Sequence, residues 1–170
     1  MKKNVMWMLT AILFCGLMLS SCGKDSDSSS TGGGGGGSEV AAGMNVSYVI
    51  EIGGTSNEGY SVKVEYTDAD GKSKTENITG KFSKNITIKG VPCTATMTIT
   101  ATPKEGLTGE KYDLEYLYKM TGVGVNSKGK EFGYVKPVAE TVIKRGVPKD
   151  NMKEITVSAT INCTSSGVTP

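Results

Sequence analysis

Beyond residue 43 apolar and polar side chains alternate along most of the chain, and a period of two predicts strands. Val46, Tyr48, Ile50 and Ile52 share one face of a first strand, with Ser47, Val49 and Glu51 on the other. Gly53-Gly54 and Asn57-Glu58-Gly59 predict a turn. Tyr60, Val62, Val64 and Tyr66 then alternate with Ser61, Lys63, Glu65 and Thr67. Asp70-Gly71 predicts a two-residue hairpin tip of type I′, because both central positions of that turn need positive φ. A return strand through Lys74 to Thr79 follows, then one from Phe82 to Ile88 with Phe82, Ile86 and Ile88 in phase. Cys93, Ala95, Met97, Ile99 and Ala101 alternate with five threonines, the clearest strand in the chain. Tyr112, Leu114, Tyr116, Tyr118 and Met120 share a face, Val123 to Tyr134 predicts a hairpin turning at Asn126 to Gly129, and Ile155 to Cys163 predicts the last strand. No amphipathic helical period interrupts the series.

About seven to nine short strands separated by turns predict an all-β, antiparallel sandwich or barrel, with the sandwich preferred. Ile88-Lys89-Gly90-Val91-Pro92 precedes one strand, and Ile143-Lys144-Arg145-Gly146-Val147-Pro148 precedes the last. Such a Gly-Val-Pro lead-in resembles the entry to core strands in immunoglobulin-like modules of bacterial surface proteins. The resemblance implies an immunoglobulin-like or fibronectin III-like sandwich.

The start of the chain is different. Met1 to Asn4 is cationic and Val5 to Leu19 is an apolar run of about fifteen residues, short for a bilayer of about 30 Å, so it reads as a signal peptide. It ends in Leu19-Ser20-Ser21-Cys22, which resembles the lipobox of bacterial lipoproteins. The resemblance implies cleavage before Cys22, a diacylglyceryl thioether on its sulfur and acylation of the new amino group. Each buried methylene contributes about 0.8 kcal/mol, so two or three chains anchor where one would not. Gly23-Lys24-Asp25-Ser26-Asp27 resembles the acidic tag that sends lipoproteins of the Bacteroidetes type to the outer face of the outer membrane. The expected organisation is a signal peptide over 1–21, a lipidated cysteine and Gly/Ser tether over 22–43, a β-sandwich over 44–164 and a tail over 165–170. Gly32 to Gly37 make the tether floppy, with a reach of roughly 20 to 25 Å.

Charge and composition narrow the chemistry. The chain has 19 basic and 17 acidic side chains. Removal of Lys2 and Lys3 balances them, and a neutral chain without a basic run has no field for nucleic acid. Histidine is absent, which removes the side chain best suited to proton transfer near neutrality and the commonest metal ligand. No serine or threonine has a base at a telling spacing. Asp113 and Glu115 are the nearest to a carboxylate pair, and they fall on a wet strand face where solvated charge is the plainer reading. No cofactor is expected.

Four features are candidate sites. Positions 93 and 163 have the same sum as positions 101 and 155, the condition for antiparallel partners. Pairing these strands therefore aligns both apolar faces and sets Cys93 opposite Cys163. Outside the cytoplasm such a pair can oxidise, closing a loop of about seventy residues for about 2 to 4 kcal/mol, or it can remain two reduced residues packed as small apolar groups. Asp68-Ala69-Asp70-Gly71 has the start of a calcium loop, but Lys72 stands where a third acidic ligand would help, so a hairpin tip is preferred. Tyr112, Tyr116 and Tyr118 offer a sugar-stacking platform, against which Leu114, in phase with them, argues for a buried face. Asn45-Val46-Ser47, Asn77-Ile78-Thr79, Asn85-Ile86-Thr87 and Asn162-Cys163-Thr164 match the glycosylation acceptor pattern, which a Thr-rich β chain produces by chance.

The expected function is a non-enzymatic, lipid-anchored surface module that binds a protein or glycan partner. A structural subunit of a pilus-like or envelope complex is the alternative, and a hydrolase working without histidine is the third.

Overall fold

The computed structural model describes residues 40–133, 135 and 137–170. Cys22, the signal peptide, the acidic tag and most of the tether lie outside the described residues. Two antiparallel five-stranded sheets face one another as a β-sandwich, as the alternation predicts. In one sheet β1 (Gly43–Gly53) lies between β4 (Lys81–Lys89) and β6 (Lys111–Val125), and β6 also pairs with β7 (Glu131–Phe132) and β8 (Val138–Pro148). The other runs β10 (Gly167–Thr169), β9 (Ile155–Thr164), β5 (Cys93–Pro103), β2 (Tyr60–Thr67), β3 (Ser73–Ile78). We call these the first and second sheet.

The strand alternation sorts side chains into core and surface. Met44, Val46, Tyr48 and Ile50 of β1 and Leu114, Tyr116, Tyr118 and Met120 of β6 form one inner layer. Val62, Val64 and Tyr66 of β2, Ala95 to Ala101 of β5 and Ile161 of β9 form the other. Each large side chain so buried contributes about 1.5 to 3 kcal/mol. Tyr66 bridges the layers, its ring centroid 5.5 Å from Tyr48 and 5.4 Å from Phe82, both tilted.

Four departures from the expected elements have local causes. Ser56–Gly59 is a short helix, α1, where a turn was expected. Its buried Ser56 Oγ donates to Gly53 O at 2.6 Å and accepts the Glu115 N–H at 2.8 Å, which fastens α1 to β6. The Asp70-Gly71 hairpin closes through Gly71 N–H to Asp68 O and Asp68 N–H to Lys72 O, with Gly71 at φ 76°. That is a three-residue loop with one left-handed residue, not a two-residue tip. The same bonding recurs at Asn126 to Lys130, with Gly129 at φ 78°. The expected tail turns back after Thr164 and pairs as β10.

β8 is the fourth. The second Gly-Val-Pro does not lead into the last strand but ends β8, where Gly146 at φ 60° sits in a β-bulge and the Asp113 carboxylate accepts its N–H at 2.7 Å. Lys149–Asn151, a single 3-10 turn, then connects to β9.

Candidate functional site

The tyrosine stripe lies inside the sandwich. Tyr116 is 0% exposed and Tyr118 4%, so both rings belong to the core and not to a sugar platform. Tyr112 is half-buried, its hydroxyl accepting the Gly109 N–H at 2.6 Å. Leu114 and Met120, in phase with the tyrosines, had already marked that face as the buried one. Tyr118 donates to Glu140 at 3.0 Å, whereas the Tyr116 hydroxyl is buried with no partner among the described residues. Burial pushes the Tyr116 phenol up to about 12, reinforced by Tyr118 and Glu140.

Cys93 and Cys163 stand opposite one another in the register expected, with Ala101 opposite Ile155. Both are free thiols in this structure, and each lies within side-chain hydrogen-bonding reach of the other. Cys163 is fully buried, its Sγ 3.5 Å from Gly43 O, and burial with Cys93 alongside pushes its thiol up to about 11.

The two aspartates at the hairpin tip are held by lysines. Asp68 pairs with Lys74, which holds its carboxyl below the usual range, and Asp70 lies 3.7 Å from Lys72 Nζ. Asp68 and Asp70 thus act as turn residues, and among the described residues no group of three His, Cys, Asp or Glu could hold a metal. Asp113 braces the β8 bulge and Glu115 faces Arg145 at 3.5 Å.

The outer faces of the two sheets differ in what their polar groups are used for. On the second sheet hydroxyls largely pair with neighbours: Thr98 with Ser158 at 2.9 Å, Thr94 with Asn162 at 2.9 Å and Thr102 with Glu154 at 2.8 Å. On the first sheet a depression of about 310 Å³ opens over β4, β1 and β6 and is closed at one side by β7. Asn45, Ser47, Asn85, Thr87, Thr121 and Glu131 supply its polar lining and Val123 an apolar patch. A second depression, of about 350 Å³, shares Thr87 and reaches the Asn126 loop, so together they form a trough from the sheet face to its end.

Register builds this lining. β1 and β4 pair with Asn45 opposite Thr87 and Ser47 opposite Asn85, so each amide faces a hydroxyl. Asn45 is locked at the centre, donating to Glu131 at 2.6 Å and accepting from Thr87 at 2.6 Å. Ser47, Asn85 and Thr121 hold no side-chain hydrogen bond among the described residues, so their polar groups are open to the depression. β6 contributes Thr121 and Val123 to this outer face, while Gly122 and Gly124 between and beyond them face inward, where a Cβ on Gly122 would come within 2.9 Å of Ile161 and Met44. The sequence did carry a signal for this site: Asn45-Val46-Ser47 and Asn85-Ile86-Thr87 are the two acceptor-like triplets that pair here, though only register shows that they meet.

No family model and no curated protein matches the chain. Among the described residues no helix is long and apolar enough to cross a membrane.

Proposed function

We propose that this chain is a cell-surface lipoprotein, fixed to the outer membrane through acyl chains on Cys22, whose sandwich is a non-enzymatic module that binds a glycan. The observation that carries the reading is the trough on the first sheet, an open surface lined by amides and hydroxyls whose central residue, Asn45, is oriented before any ligand arrives. Neutral sugars present the complementary donors and acceptors, and a lining fixed in advance loses little entropy on binding. The anchoring rests on the signal segment and Leu19-Ser20-Ser21-Cys22.

The test is a glycan array probed with the full-length protein, followed by titration of any glycan retained. Asn45→Ala and Asn85→Ala should each weaken binding by about tenfold or more, the loss of about 1.4 kcal/mol. Retention of no glycan, or binding indifferent to both substitutions, overturns the glycan reading and leaves a protein partner. Mass spectrometry of the processed amino terminus tests the anchor separately, and an unmodified Cys22 thiol would remove it.

A further inference from the structure

We propose that β8 is a self-recognising edge, through which two copies of this chain pair antiparallel about a two-fold axis at Val142. Among the described residues β8 has β6 as its one neighbour, so its other edge is open. Most of its eleven residues are exposed. Ile143, 49% exposed, and Leu117 of β6, 42% exposed, are the large apolar side chains most open to solvent on this sheet. An edge of that length with apolar side chains beside it is a template for another strand.

Which backbone groups are free follows from bonds already described. Glu115 turns its N–H away from β8, onto Ser56 Oγ at 2.8 Å. Alternation therefore turns Tyr116, the partner of Val142, toward β8. Val142, Glu140 and Lys144 then face β6, as does Gly146, whose N–H is accepted by Asp113 at 2.7 Å. Ala139, Thr141, Ile143 and Arg145 are left with N–H and C=O turned outward.

These four positions are symmetric about residue 142. A two-fold axis there sets Ala139 against the second copy's Arg145 and Thr141 against its Ile143, in both directions, and satisfies every free group with roughly eight hydrogen bonds. No other centre in the strand matches all four. The same register, chosen on backbone grounds alone, places Glu140 opposite Lys144 of the other copy, twice. Glu140 is already oriented by Tyr118, which donates to one of its oxygens at 3.0 Å. A charged residue such as Lys144 ordinarily protects an edge from indiscriminate pairing. Here the charge that repels a random strand is matched by the chain's own Glu140, so it selects a second copy.

The test uses the full-length protein, extracted in detergent from the envelope of cells that make it. Light scattering should give twice the mass of one polypeptide. Val142→Cys should cross-link to itself on mild oxidation while the parent chain does not, because the axis makes it a non-hydrogen-bonded pair with Cα atoms about 4.5 Å apart. Lys144→Glu should weaken dimerisation about tenfold, and adding Glu140→Lys should restore it, since the double exchange re-forms both charge pairs. Thr141→Pro should abolish dimerisation, with circular dichroism unchanged, because the lost N–H is one that points outward. Lys144 is exposed, so its variant keeps the fold even where the proline variant does not. A monomer at tens of micromolar, a dimer indifferent to Lys144→Glu, or cross-linking of Val142→Cys to a polypeptide of another size would each overturn the proposal.

Discussion

The sharpest prediction concerns two buried tyrosines on neighbouring strands whose phenols have opposite consequences. Tyr48 and Tyr116 are both 0% exposed, in the same inner layer. The Tyr48 hydroxyl donates to Thr67 O at 2.9 Å, joining the two sheets, whereas the Tyr116 hydroxyl has no partner among the described residues. A buried polar group without a partner costs about 1 to 3 kcal/mol, and a made hydrogen bond contributes about 0.5 to 1.5 kcal/mol. Tyr116→Phe deletes the unpaired oxygen, keeps the ring, and should stabilise by about 1 kcal/mol. Tyr48→Phe should destabilise by about 1 kcal/mol, since it also strands a carbonyl. For a domain of this size the unfolding entropy converts each change into a Tm shift of about 4 °C, upward for Tyr116→Phe and downward for Tyr48→Phe. Calorimetry and urea titration of both variants read the sign directly. A Tyr116→Phe protein less stable than the parent would refute the reasoning, because it would mean that the hydroxyl has a partner worth keeping.

Three further outcomes follow from the packing. Gly43→Ala should destabilise by about 2 kcal/mol or more, because its Cβ would strike the Ile88 carbonyl oxygen of the adjacent β4, which cannot yield without breaking the ladder; urea titration measures it. Stability should hold to about pH 9 and then fall: burial raises the phenols of Tyr66 and Tyr116 to about 12 and the thiol of Cys163 to about 11, so the unfolded chain loses these protons first and rising pH favours it, as a series of unfolding curves between pH 8 and 11 will show. A maleimide should label half-exposed Cys93 slowly and Cys163 only through unfolding; a denatured chain that resists labelling until it is reduced would reveal a bridge instead.

What could be read from the chain beforehand depended on how many neighbours each residue answers to. β5 and β9 are buried on one face over most of their length, so their alternation specifies register, and a one-residue slip would expose every apolar side chain. The opposition of Cys93 and Cys163 was therefore legible. β8 escaped notice because Val138, Val142 and Val147 are its only partly buried positions, and Val-Ile-Lys-Arg has no period of two. Edge strands bury little, so little in their composition is constrained. The tyrosine stripe was ambiguous because a ring with a polar tip suits both core and sugar. The trough was hidden for a different reason: Asn45, Ser47, Asn85 and Thr121 each look like an ordinary wet-face residue, and only the pairing of three strands gathers them.

The site and the edge lie on one sheet, and that arrangement has a consequence of its own. A two-fold axis that relates β8 to its copy while keeping both residues of each opposed pair on the same side must run perpendicular to the sheet. The outer faces of the two first sheets then point the same way, and a dimer presents two troughs side by side. On the anchoring proposed above, a tether of roughly 20 to 25 Å would keep both near the membrane surface. For a repeating glycan the second contact becomes intramolecular, and avidity should exceed the single-site affinity by about a hundredfold or more. Lys144→Glu, which lies outside the trough, should lose that gain on an immobilised polysaccharide while leaving the affinity for a short oligosaccharide unchanged. Equal losses on both ligands would show that the edge acts on the site itself, and no loss on either would show that the two troughs never engage one chain together.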